Sequence, residues 1–275
     1  MNPIDTLFQT LRATNRKAFM PFLTAGDPDL AFTQEALTAM AASGASLIEI
    51  GFPFSDPIAD GPVIQASYTR ALNAKIKLAD IFAMLKATTS QPGWNTPLVA
   101  MVSYTLIYKL GAAKFIATAQ ASGISGAVVP DMPVEEAEEL AKLAAAANFG
   151  FILLVTPMTT PKRMETIVKA CRGFVYVVSI VGITGERNQL PSAVKDMVAR
   201  LRTLTDLPLC VGFGVSKPEH VRELRDLVDG VIVGTALVRK LEAANTPAGR
   251  LATLEALRTT CASLSAALII DVTHN

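Results

Sequence analysis

Eight short apolar runs recur along the chain, and a segment with helical signals follows each one. They occupy residues 18–23, 46–50, 98–102, 124–129, 151–155, 174–178, 209–211 and 231–233. Each is rich in Val, Ile, Leu or Phe and nearly continuous in hydrophobicity, as strands covered on both faces are. Eight strand–helix units in 275 residues favour a closed (β/α)8 TIM barrel over an open doubly wound sheet. An extra N-terminal helix is expected from Asp5, as its cap, to about Ala13. Two helices, 62–72 and 78–87, are expected after the second strand, and additional helices after the eighth, to about residue 270. The helix over 105–121 should break near Gly111, and the one over 134–147 carries four acids at its start, which suits the helix dipole. No linker or composition shift divides the chain, which predicts a single domain over residues 1–275.

A neutral balance narrows the function. The formal net charge is +1, which argues against a nucleic-acid or membrane-surface partner, since both select a basic face. No apolar run approaches the ~20 residues that a membrane span needs. Cys171, Cys210 and Cys261 form no CxxC pair and read as buried thiols in a reducing cytoplasm. The segment Met1 to Asp5 shows no signal-peptide pattern, and neither His220 nor His274 has a metal-ligand pattern around it.

The run Leu47-Ile48-Glu49-Ile50-Gly51-Phe52-Pro53-Phe54-Ser55-Asp56-Pro57-Ile58-Ala59-Asp60-Gly61 concentrates the chemistry. An apolar strand ends in a carboxylate, and a stiff turn-rich loop then supplies two more. In a barrel of this type, active sites lie at the C-terminal ends of the strands. Period-two alternation puts Leu47 and Glu49 on one face and Ile48 and Ile50 on the other. The isoleucines belong under the outer helices, so Glu49 points into the barrel mouth. No Lys or Arg lies between Lys17 and Arg70. Burial without a cation raises a carboxyl pKa, which suits a proton donor. Asp60 has two readings of equal weight, a site residue or a cap for the helix that starts at Pro62. Asp56 also fits a turn, and Asp27 in Gly26-Asp27-Pro28 reads as a turn residue rather than a catalyst.

Glycines mark a second constellation at the ends of strands six to eight: Gly182-Ile183-Thr184-Gly185, Gly212-Phe213-Gly214-Val215-Ser216 and Gly234-Thr235-Ala236. Loops after the last strands of such barrels often bind phosphate, because glycines let backbone N–H groups approach the oxygens. The residues alone therefore point to proton transfer on a phosphorylated small molecule. Another phosphate-binding barrel, such as an isomerase, would need a catalytic Lys or His that no strand end supplies. A regulatory subunit with a degenerate site would not need Glu49 and Asp60.

These segments, with Pro21-Phe22-Leu23-Thr24-Ala25-Gly26-Asp27-Pro28 and Val129-Pro130-Asp131-Met132-Pro133-Val134-Glu135-Glu136, closely resemble the α subunit family of tryptophan synthase over essentially the full length. The resemblance implies a lyase that cleaves indole-3-glycerol phosphate to indole and D-glyceraldehyde 3-phosphate by a retro-aldol reaction. It implies Glu49 as acid/base and Asp60 as acceptor of the indole N–H. Gly185, Gly214, Gly234 and Thr235 would hold the phosphate, and Phe22, Thr184 and Phe213 the indole and glycerol. No cofactor is expected in this chain. The implied partner is a β subunit carrying pyridoxal phosphate, met through Pro53 and Asp56 in an αββα heterotetramer. That subunit receives the indole and makes L-tryptophan from L-serine. One departure stands out: Ser103 and Thr105 occupy positions where many members carry Tyr and Asn, with Tyr104 as a possible substitute.

Overall fold

The computed structural model describes residues 1–179, 192–212 and 214–269. Among these residues, nine parallel strands form one sheet: β1 (Ala18–Thr24), β2 (Ile48–Gly51), β3 (Leu98–Met101), β4 (Ile124–Val128), β5 (Gly150–Ile152), β6 (Leu154–Val155), β7 (Val175–Val178), β8 (Leu209–Gly212) and β9 (Gly230–Val233). The order is β5-β4-β3-β2-β1-β9-β8-β7-β6. Its two ends are consecutive in the chain and are separated by Leu153 alone. They are one expected strand divided at that residue. Its first half pairs with β4 and its second with β7, and the Tyr176 N–H donates to the Leu153 carbonyl at 3.2 Å. The sheet therefore rolls into an eightfold barrel of the TIM type.

Helices surround it: α1 (Pro3–Ala13), α2 (Leu30–Ala42), α3 (Pro62–Asn73), α4 (Leu78–Thr89), α5 (Tyr104–Leu110), α6 (Ala112–Ala121), α7 (Glu138–Ala146), α8 (Pro161–Ala170), α9 (Ser192–Leu204), α10 (Pro218–Arg225), α11 (Thr235–Val238) and α12 (Pro247–Ala266). The paired helices after β2 and the added ones after β9 match expectation. Gly111, at φ +88°, divides α5 from α6, as its freedom to take that angle predicts. The expected helix over 134–147 begins instead as a 3₁₀ turn, Val134–Glu136, and only then becomes α7.

The N-terminal helix closes one end of the barrel. Its cap is Asn2 and not Asp5, because Pro3 already occupies the first helical position. The Asn2 side chain accepts from the Ile4 N–H and donates to the Ser125 and Asn148 carbonyls at 2.8 Å each. Ile4, Phe8 and Leu11 then join the barrel interior, with Met20, Leu47, Val99, Val128, Ile152, Phe174 and Ile232. A Cβ on Gly126 or Gly150 would come within 2.9 or 2.8 Å of Ile4, so those glycines make room for the plug. The base is sealed by apolar contact, and the strand C-terminal ends open at the opposite mouth.

Candidate active site

The alternation in β2 holds. Leu47 packs inside the barrel, while Ile48 and Ile50 pack in the outer layer beneath the helices. Glu49 shares the inner face and is 2 % exposed. Its Oε1 has no hydrogen-bond partner among the described residues. Burial, then the nearby Asp60, raises its pKa from 4.5 to about 8. A carboxyl in that state is a neutral acid at pH 7 and a ready proton donor.

Asp60 does not cap α3. The cap position belongs to Gly61 and has no side-chain bond, and α3 starts on Pro62, which has no N–H to satisfy. The Asp60 main chain is fastened instead: its N–H donates to the Pro57 carbonyl at 3.1 Å, and its carbonyl accepts from Gln65 Nε2 at 2.8 Å. Its carboxyl is left to face the mouth. Burial and the Asp131 carboxylate raise its pKa from 3.8 to about 6. Two carboxyls in one mouth thus differ in state, with Glu49 mostly protonated and Asp60 mostly ionised at neutral pH.

Phe22, Glu49, Asp60, Gly214, Gly234 and Thr235 line one cleft that opens to solvent. Six residues singled out from the sequence therefore meet. Thr184, Gly185 and Phe213 lie outside the described residues. Asp56 lines an adjoining recess with Asp60, and Ser55 Oγ donates to its carboxylate at 2.7 Å. Pro53 lines neither space and lies on the same loop, half-buried. Asp27 is buried and gripped by Arg70, whose Nε and Nη2 donate to its two oxygens at 2.9 and 2.6 Å. It is a structural ion pair.

The structure adds residues that the sequence did not single out. Tyr176 of β7, Ile64 of α3, Met101 of β3 and Ile232 of β9 complete the cleft. Tyr68 of α3 and Asp131 line the recess. Alternation in β7 would have turned Tyr176 inward with Phe174 and Val178, so that one signal was available. At the β3 exit, Ser103 Oγ donates to Asp131 Oδ2 at 2.6 Å and the Tyr104 N–H to Oδ1 at 2.8 Å. Ser103 also caps α5 through the Thr105 N–H. Tyr104 lines neither the cleft nor the recess, and its ring lies 6.2 Å from that of Tyr108, between centroids. No group of three or more metal-ligating side chains occurs among the described residues. None of their helices is long and apolar enough to cross a membrane.

The sequence and the fold have counterparts among known proteins. The family described as tryptophan synthase alpha chain matches residues 8–267. The tryptophan synthase alpha chain of Rhodopirellula baltica is 49 % identical over 242 residues, 88 % of this chain and 87 % of its own length. The solved structure of Mycobacterium tuberculosis tryptophan synthase superimposes with a TM-score of 0.87 at 32 % identity, over 97 % of this chain and 98 % of that one. The tryptophan synthase complex of Pyrococcus furiosus gives 0.81 at 37 % identity, over 90 % and 98 %.

Proposed function

The chain belongs to the tryptophan synthase alpha chain family, and from that premise we propose how its mouth cleaves indole-3-glycerol phosphate to indole and D-glyceraldehyde 3-phosphate. One observation carries the residue assignment: a buried Glu49 paired in register with Phe22, with Asp60 lining the same cleft; burial holds Glu49 toward its acid form. The indole stacks against Phe22 and Phe213. Its N–H donates to the Asp60 carboxylate. Glu49 gives its proton to the ring carbon that bears the side chain, which makes an indoleninium cation. Asp60 stabilises that positive charge. The ionised Glu49 then takes the proton of the adjacent side-chain hydroxyl. As that oxygen becomes a carbonyl, the C–C bond breaks and its electron pair returns to the ring. Indole and the aldehyde result, and Glu49 is again an acid. No redox step or cofactor is required.

The backbone at Gly185, Gly214, Gly234 and Thr235 holds the phosphate, and Thr184 faces the glycerol. The β subunit supplies pyridoxal phosphate, and the αββα assembly forms on the face that carries Pro53 and Asp56. The chain acts as one barrel domain over residues 1–275. The cytoplasm is its compartment, where Cys171, Cys210 and Cys261 stay as buried thiols.

Purified chain incubated with indole-3-glycerol phosphate, with and without the β subunit, tests this reading. Release of equimolar indole and aldehyde supports it. An isomerised phosphate product would mean a different barrel chemistry, and no turnover with the partner present would leave a regulatory subunit.

A further inference from the structure

Ser103 and Asp131 make a clamp that the reaction above leaves unused. Ser103 follows β3 and Asp131 follows β4, so the clamp ties two strand exits together. Ser103 Oγ donates to Asp131 Oδ2 at 2.6 Å, and the Tyr104 N–H donates to Oδ1 at 2.8 Å. The serine oxygen accepts in turn from the Thr105 N–H at 3.2 Å, which leaves its proton for the carboxylate. Both carboxylate oxygens are therefore held, one by a hydroxyl and one by an amide. Such donors fix the position of the charge without cancelling it. Asp60, Ser103 and Asp131 are each half-buried and line one recess, whose walls include Phe52, Val102 and Pro130. Charges set among apolar walls act on one another more strongly than charges in open water, and salt screens them less.

We propose that Asp131 is a positioning residue that acts through Asp60: its clamped negative charge, in the recess the two share, sets how far into acid Asp60 stays ionised and able to accept the substrate N–H. The proposal rests on the reading of Asp60 given above. The titratable groups around Asp60 are Glu49 of β2, Tyr68 of α3, Tyr176 of β7, Asp131 beyond β4 and Asp56 of its own loop. Burial keeps Glu49 and the two phenols neutral at pH 6. Asp56 is exposed to water, which screens it. Asp131 is thus the charge that Asp60 meets in the recess as it titrates. Burial first, and then Asp131, raise the Asp60 pKa from 3.8 to about 6. The burial belongs to the fold, whereas the second cause is one removable charge.

Asp131→Asn removes the charge and keeps the shape, while Asp131→Glu keeps the charge and changes the shape. Two measurements on the whole chain decide the matter. One is the ¹³C-carboxyl titration of Asp60 by NMR, assigned with Asp60→Asn. The other is kcat/KM for cleavage against pH, whose acid limb reports the free enzyme. In Asp131→Asn both should move to lower pH, by about half a pH unit or more. Half a pH unit is about a threefold gain in ionised Asp60 at pH 5, so cleavage at pH 5 relative to pH 7 should rise about threefold. In Asp131→Glu the titration and the acid limb should keep their wild-type positions. A residue that only ties the strand exits together would lower activity at every pH and leave the Asp60 titration in place. If Asp131→Asn does not fold, Asp131→Ala, which also lacks the charge, takes its place with the same expected shifts. An Asp60 titration that does not move in the neutral variant, or that moves equally in Asp131→Glu, overturns the proposal. If Asp60→Asn cleaves at the wild-type rate, the role given to Asp60 fails, and this proposal fails with it whatever the titration shows.

Discussion

Phe22 and Glu49 are register partners across the β1–β2 ladder, two residues below the strand exits. The pairing sets an aromatic face beside the acid and helps to exclude water from it. The carboxyl therefore binds its proton up to about pH 8 in the fold, against 4.5 when the chain is unfolded.

A linked stability effect must accompany that shift. Below about pH 4.5 both states hold the proton, and the buried acid costs little. Above it the unfolded chain ionises first, so stability falls as pH rises toward 8. Glu49→Gln cannot ionise. Urea unfolding of both proteins should show the variant gaining on the wild type between pH 5 and pH 8, on the order of a few kcal/mol. A difference that does not change with pH would mean that Glu49 is ionised in the fold.

At Gly234, charge rather than size should decide. A Cβ there would meet Phe22 Cβ at 3.5 Å, an ordinary contact. Gly234→Ala should therefore bind glyceraldehyde 3-phosphate within about threefold of wild type, as an unstrained surface change does. Gly234→Asp brings an anion to the proposed phosphate site and should weaken binding by about ten- to a hundredfold. Calorimetric titration of both variants measures this. Equal affinities would move the phosphate elsewhere.

The Asp27–Arg70 pair is the main tie between the β1 exit and α3. Asp27 is fully buried, and the Arg70 side chain is about a quarter exposed. Arg70→Met strands the carboxylate and should lower stability by about 3 kcal/mol or more. Asp27→Asn together with Arg70→Met should cost less than the sum of the single changes. A denaturation double-mutant cycle checks the coupling, and additive losses would mean that the pair contributes nothing as a pair.

Asp56 is exposed at the rim, beside Ile58, which is 85 % exposed. The same loop ends in Asp60. On the proposed reading, a partner docked on Asp56 would bias the position of the loop that carries Asp60, and such a coupling is reciprocal in binding. Asp56→Ala should leave basal cleavage within about twofold and reduce the activation by the β subunit by a larger factor. A titration of β subunit that leaves the rate flat, or equal losses in both rates, would remove the coupling.

Local periodicity made much of this visible in the chain itself. Period two turned Glu49 inward because Ile48 and Ile50 needed an apolar cover. The reading of Asp60 stayed open because a Pro- and Gly-rich loop carries no period, and the placement of Gly61 as the cap removes the capping alternative. Tyr68 was hidden for another reason. Its helical face also carries Ile64, Ser67 and Ala71, and which of these meets the site depends on how α3 is rotated. That rotation is set by Asp27, 43 residues before Arg70. Likewise Ser103 looked like a loss at the β3 exit until its bond to Asp131, 28 residues away, appeared. Pairings over such distances leave no local pattern.

The central claim is that Glu49 transfers the protons that break the carbon–carbon bond. Its most direct test is single-turnover cleavage of indole-3-glycerol phosphate by wild type and Glu49→Gln in the presence of saturating β subunit. The account predicts a loss of about 10²- to 10⁴-fold in the variant, at the upper end because one group serves two transfers. Affinity for glyceraldehyde 3-phosphate should be unchanged, and the wild-type rate should fall as pH rises through about 8. A variant that cleaves at near-wild-type rate would contradict it.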